Sequence, residues 1–104
     1  MTRGELWWAD LPQPIGRRPV VLLSRAEAYG LLTAVVVAEL TTRRRAAPTH
    51  VSLGQRDGVD RACAVNLDAL HTVGLGQLSQ RMSMLSDTRM GQVDDALRFS
   101  LDLD

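Results

Sequence analysis

Polar and apolar residues alternate over Gly4–Ala9 (GELWWA), with Leu6 and Trp8 on one face and Glu5, Trp7 and Ala9 on the other. A period of two predicts a half-buried strand. Pro12, Pro14 and Gly16 then mark a connection. Pro19–Ser24 (PVVLLS) is a short continuous apolar run suited to a buried strand. Ser24-Arg25-Ala26-Glu27 spells a capping box, but Gly30 follows so soon that only about one helical turn is expected. Leu32–Leu40 reads as a longer strand rich in β-branched residues, and Thr49–Leu53 as another, entered through Pro48. Gln55–Asp60 is a polar turn, followed by two short strands, Ala62–Leu67 and Ala69–Leu75. A helical turn near Leu75–Leu78 and an edge strand at Arg81–Leu85 complete this part.

The pattern changes at Ser86. Met90, Val93, Leu97 and Leu101 recur at intervals of three and four, which predicts one amphipathic helix over Asp87–Ser100. Ser86 is a good N-cap, and Asp87 suits the positive end of the helix dipole. The apolar stripe should cover an open end of the sheet. Several short strands followed by one terminal helix predict a mainly β fold: a small, strongly bent, barrel-like sheet with helical decoration.

Composition narrows the class. The 104 residues, 45% of them apolar, suffice for one domain with one modest core, taken as spanning 1–104. No apolar run approaches the roughly 18 residues that cross a bilayer, and Met1–Glu5 lacks the layout of a signal peptide. Cys63 is the only cysteine, so no intrachain disulfide forms, and a cytoplasmic setting with no membrane partner is expected. Its segment, Ala62-Cys63-Ala64-Val65, suggests a buried inert thiol.

A formal charge of zero conceals an asymmetry. Residues 1–56 hold eight Arg against four Asp and Glu, a net of +4, and residues 57–104 hold four against eight, a net of −4. Every basic side chain is Arg, a planar fork suited to phosphate or carboxylate. A basic half is consistent with a nucleic-acid partner.

Candidate chemistry lies at strand ends. One Cys and two distant His supply no zinc site, and there is no phosphate-binding glycine loop, nucleophile elbow or H-E-x-x-H, so no metal or cofactor is expected. Arg17-Arg18 stands just before the run Pro19-Val20-Val21, and Thr41-Thr42-Arg43-Arg44-Arg45 just after Val35–Leu40. If these strands pair antiparallel, Arg18 and Thr41 converge on one mouth of the sheet. A guanidinium and a hydroxyl there make a phosphate site.

The segments RGELWWADLP, GRRPVVLLS, VVVAELTT, PTHVSL, VNLDALHTV and VDDALRFSLDL, in this order over about residues 3–103, resemble the MazF/PemK toxins of bacterial type II toxin–antitoxin systems. The resemblance implies a compact SH3-like barrel of the MazF/CcdB type, working as a homodimer. It implies metal-independent endoribonuclease cleavage of single-stranded RNA at short motifs, by attack of the 2′-hydroxyl, leaving a cyclic phosphate and a 5′-hydroxyl. It also implies a MazE-like antitoxin partner whose flexible acidic tail occupies the RNA groove. Arg18 matches the family's catalytic arginine directly before Pro-Val, and Thr41 its catalytic threonine at the end of the next long strand. The segment Leu11–Arg17 is shorter than in many relatives, which predicts a more open groove.

Around this pair, Arg17, Ser24, Thr42, Arg43, Arg44 and Asn66 are candidate RNA contacts, with Arg45 beside them in the same loop. Trp7 and Trp8 are either core or base-stacking surfaces. His50 is an imidazole near the mouth to which the family motif assigns no chemistry, and His71 reads as structural. The rival readings are a non-enzymatic gyrase-inhibiting toxin of the CcdB type and an inactive homologue that binds RNA or antitoxin. The CcdB type binds its target through a Trp-Gly-Ile-like end, whereas this chain reads Leu101-Asp102-Leu103-Asp104.

Overall fold

Alternating and β-branched segments pair into one six-stranded sheet in the computed structural model, which describes residues 1–104. The strands are β1 (Glu5–Asp10), β2 (Arg17–Leu22), β3 (Ala34–Thr41), β4 (His50–Leu53), β5 (Cys63–Gly74) and β6 (Leu78–Met84). Their order across the sheet is β4-β5-β3-β2-β1-β6, and every neighbouring pair is antiparallel. One turn of helix, α1 (Ala28–Leu31), joins β2 to β3, and the terminal helix α2 spans Asp87–Ser100.

The sheet curls, so each face carries its own core. Leu6, Val21, Ala38, Leu40, Val65 and Leu67 line one face, where Val93 and Ala96 of α2 pack against them. Ala9, Val20, Leu22, Val35, Val37 and Val73 line the other, with Ala28 of α1. The two edge strands do not hydrogen-bond to each other. They are bridged by the 3₁₀ turn Gln55–Asp57, whose Asp57 carbonyl accepts from Ser83 Oγ of β6 at 2.8 Å. A curled half-barrel closed by a turn is the form the SH3-like barrel takes here.

Three local expectations change. The two short strands of residues 62–75 are one strand, β5, carrying a bulge: the register steps from Ala38↔Leu70 to Glu39↔Asn66, leaving Leu67, Asp68 and Ala69 without partners on β3. The capping box at Ser24 does not form, because Ser24 Oγ accepts from the Val36 N–H at 2.8 Å and so ties β2 to β3. The α2 stripe runs through Met90, Val93, Ala96 and Leu97, while Leu101 lies past the helix end and is exposed. Cys63 is buried, as its neighbours suggest.

Candidate active site

Antiparallel pairing of β2 with β3 matches Val20 to Glu39, Val21 to Ala38 and Leu22 to Val37. The same register carried two residues further sets Arg18 across from Thr41, at the mouth where β2 begins and β3 ends. Ala9, fully buried, is the partner of Arg18 on β1 and supports it from the other side. Arg18 itself is exposed. Its Nε donates to the Ile15 carbonyl at 3.4 Å, and it takes part in none of the chain's five ion pairs. A guanidinium held at its stem with its terminal nitrogens unpaired is available to an anion.

Thr41 lines a cavity of about 240 Å³ with Arg43, Arg45, His50, Asn66 and Asp68, none of them apolar. The Oγ1 of Thr41 accepts from the Arg43 N–H at 3.1 Å, which fixes the turn and leaves the hydroxyl proton to donate outward. Asn66 Oδ1 accepts from the Asp68 N–H at 3.0 Å, so the Asn66 side-chain N–H groups are also free to donate. Asp68 Oδ2 accepts from the Thr49 hydroxyl at 2.7 Å, and the Ser100 hydroxyl, 2.8 Å from the Leu67 carbonyl, lies 3.0 Å from its Oδ1. Asp68 lies in the β5 bulge, without a partner on β3. His50 presents its ring to the cavity, with Nδ1 buried and unpaired within the chain.

The two larger depressions, of about 290 and 330 Å³, offer less. Of their cations, Arg3, Arg98 and Arg89 are already paired with Asp94, Asp95 and Asp57, and Arg56 is free of an ion pair. The Thr41 cavity carries two such free guanidinium groups, Arg43 and Arg45, and no apolar lining.

The other candidate residues separate. Arg17 points to the face opposite Arg18, where its guanidinium lies 4.4 Å from the Trp8 ring centroid and 3.5 Å from Gln80 Oε1. Thr42 and Arg44 are exposed in the loop but outside the cavity. Ser24 lies at the far end of β2 from Arg18 and is engaged with Val36. Trp7 packs on the second core cluster, with its Nε1 donating to Glu5 Oε1 at 3.3 Å.

One feature of this face escapes a reading of the sequence. Glu39, on the same face as Thr41, lies 2.6 Å from His71 Nε2 across β3 and β5. The available signal is a lone carboxylate inside the apolar run Val35–Leu40. Its partner stands 32 residues away, so the pair is visible only once the strands are aligned.

Comparison with known proteins agrees with this architecture. Residues 2–101 match the family described as PemK-like, MazF-like toxin of type II toxin–antitoxin systems. Among characterised sequences, a probable endoribonuclease MazF5 of Mycobacterium tuberculosis is 41% identical over 101 residues, covering 96% of this chain and 92% of that protein. A probable endoribonuclease MazF2 of the same species is 37% identical over 96% of this chain and 97% of its own length. Among solved structures, the M. tuberculosis toxin MazF-mt6 superposes with a TM-score of 0.89 at 27% identity, covering 96% of this chain and 98% of its own. A mycobacterial endoribonuclease in complex with its cognate antitoxin superposes at 0.90 with 29% identity, covering 100% and 97%.

Proposed function

Because the chain belongs to the PemK-like, MazF-like toxin family of type II toxin–antitoxin systems, we propose that it is a toxin endoribonuclease. It cleaves single-stranded RNA at short sequence motifs by attack of a 2′-hydroxyl on the adjacent phosphodiester, without a metal ion. The observation that carries this reading is the antiparallel β2–β3 register, which brings the start of β2, with Arg18, to the same end of the sheet as Thr41 and its wholly polar cavity. The naming of relatives at 37–41% identity as probable endoribonucleases supports it.

The chemistry follows from what these groups can do. In-line attack gathers negative charge on the non-bridging phosphate oxygens. The Arg18 guanidinium and the Thr41 hydroxyl donate hydrogen bonds to that charge as it develops. Arg stays protonated near neutrality, so Arg18 stabilises charge and can donate toward the departing O5′ rather than take up a proton. Arg43 and Arg45 hold flanking phosphates, and the free donors of Asn66 face the same cavity.

Partners follow from the same surface. A mouth that attracts phosphates also attracts the acidic, flexible tail of a MazE-like antitoxin. A mycobacterial structural relative is solved with its cognate antitoxin, which supports such a complex here. The chain acts in the cytoplasm as a homodimer, giving about twice its 11.4 kDa mass in solution.

The test is cleavage of a broad transcript pool by purified, antitoxin-free protein in excess chelator, with the new ends mapped. Cyclic-phosphate and 5′-hydroxyl ends at recurring short motifs are expected. Intact RNA throughout overturns the enzymatic reading, and an absolute Mg²⁺ requirement overturns the mechanism.

A further inference from the structure

Glu39 is out of place by composition. Its neighbours on β3, Val37, Ala38 and Leu40, are 0–2% exposed, and its own side chain keeps only 18% exposure. A half-dry carboxylate costs free energy unless compensated, and an apolar residue at such a position is often at least as stable as an ion pair. The pair with His71 therefore has no evident advantage for stability alone.

Its position supplies a chemical reason. Side chains two apart on a strand share a face and stand about 7 Å from each other, so Glu39 flanks Thr41 on the active face. Across β2 it faces Val20, two residues from Arg18, and across β5 it faces Asn66, which lines the cavity. Cation, hydroxyl and carboxylate thus share one face at one end of the sheet. Only Oε2 of Glu39 is taken by His71 Nε2, at 2.6 Å, which leaves Oε1 as an oriented acceptor.

The proposed reaction lacks such a group. The 2′-hydroxyl must lose a proton, and neither a guanidinium nor a threonine hydroxyl accepts one near neutral pH. Asp68, the other carboxylate near the cavity, is held on the Thr49 hydroxyl and sits in the β5 bulge, without a partner on β3. His50 is the other base on this face, across Asn66 from Glu39.

We infer that Glu39 is the general base for this cleavage and that His71 is a positioning residue holding its carboxylate. The inference rests on the endoribonuclease reading. The 2′-O–H proton passes to Glu39 Oε1 as the 2′-O–P bond forms. The P–O5′ bond breaks, and O5′ leaves hydrogen-bonded to the Arg18 guanidinium and takes its proton from water. The products are a 2′,3′-cyclic phosphate and a 5′-hydroxyl, and Glu39 returns its proton to solvent. The titratable or charged groups facing Glu39 are His71 from β5, Arg18 from β2 and His50 from β4.

The experiment is single-turnover cleavage, from about pH 3.5 to 9, of one oligonucleotide that the native chain cuts. The variants are Glu39→Gln, Glu39→Asp, His71→Gln and His50→Gln. Affinity is measured in parallel with a 2′-deoxy substitution at the scissile nucleotide. Glu39→Gln is isosteric and keeps an acceptor for His71. It is expected to lose about 10²–10⁴-fold in rate, to lose the acidic limb of the pH profile, and to bind the deoxy analogue within about twofold of the native chain. Glu39→Asp should restore the limb at a reduced rate. His71→Gln should keep a limb at a displaced position, which a merely structural loss would not produce. A Glu39→Gln variant that cuts at the native rate with the native limb overturns the inference and leaves the endoribonuclease reading standing. So does removal of the limb by His50→Gln instead. A native chain that leaves all RNA intact overturns the endoribonuclease reading, and this inference with it.

Discussion

Arg17 and Arg18 are adjacent in sequence and point to opposite faces of β2. The Arg17 guanidinium lies 4.4 Å over the Trp8 ring, whereas Arg18 pairs with Ala9 on β1 and falls opposite Thr41 when the Val20–Glu39 register is continued by two residues. Arg18→Ala should therefore lower the cleavage rate by about 10²–10³, or about 2.7–4 kcal/mol of transition-state stabilisation. Because Arg18 is exposed, its loss should change folding stability by no more than about 0.5 kcal/mol. Arg17→Ala should cost less than about tenfold in rate. Single-turnover kinetics beside urea unfolding checks both, and equal rate losses in the two variants would contradict the assignment of faces.

Arg43 and Arg45 act on binding more than on chemistry. Both line the cavity from an exposed loop beyond the strand end and form no ion pair with the chain. Replacing either with Gln should weaken RNA binding and make the slope of log K against log salt shallower by about 0.7 for each phosphate no longer neutralised. Filter binding of a non-cleavable RNA from about 50 to 200 mM salt measures this. An unchanged slope would return these arginines to the role of solvated loop.

Asp57 links stability to pH. Burial pushes its carboxyl upward, but the Arg89 hydrogen bond, the Gly54 N–H and the charges of Arg89 and Arg56 outweigh this and hold it below the ordinary aspartate value of 3.8. A group whose folded pKa is depressed contributes stability above the unfolded value and loses it as pH falls through the folded one. Asp57→Asn should thus destabilise the chain by about 1–3 kcal/mol at pH 7. The difference from the native chain should shrink as pH drops below about 4. Urea unfolding at pH 7 and pH 3 gives the comparison.

Gly58 marks where the two edges of the sheet meet. Its φ is +86°, and an added Cβ would clash with Ser83 Cβ and Oγ on β6. Gly58→Ala should cost about 1–2 kcal/mol for the left-handed backbone alone. Displacing Ser83 from the Asp57 carbonyl should add about 1 kcal/mol. In a double-mutant cycle Ser83→Gly should recover the steric part and not the backbone part. Full additivity would place the two residues out of contact.

The helix shows what local sequence can decide. Ser86 accepts from the Arg89 N–H at 3.2 Å, and α2 runs over Asp87–Ser100, the range its periodicity predicts. Its cap and its stripe lie within one stretch of chain. The positions of β1 to β4 are local in the same way, β1 through alternation and β2 to β4 through apolar and β-branched runs, with ends shifted by a few residues. Arg18 and Thr41 are also legible, because each abuts a readable strand.

What spans two strands needed the fold. Alternation shows which residues of one strand share a face, not which face meets the core or which register a neighbour adopts. Hence the separation of Arg17 from Arg18, and of Ser24 from the mouth, emerges only when β2 is laid against β1 and β3. The bulge that joins two expected strands into β5 inserts three residues against β3, a shift without a local signature in side-chain periodicity. Glu39 and His71 each look like an isolated polar residue in an apolar strand. The sequence by itself determined the mainly β class, the terminal helix and most strand positions, and it singled out Arg18 and Thr41 as candidates. The tertiary structure decided the faces, the register and the Glu39–His71 pair, because pairing between strands depends on contacts across the sheet that the period of a single strand does not encode.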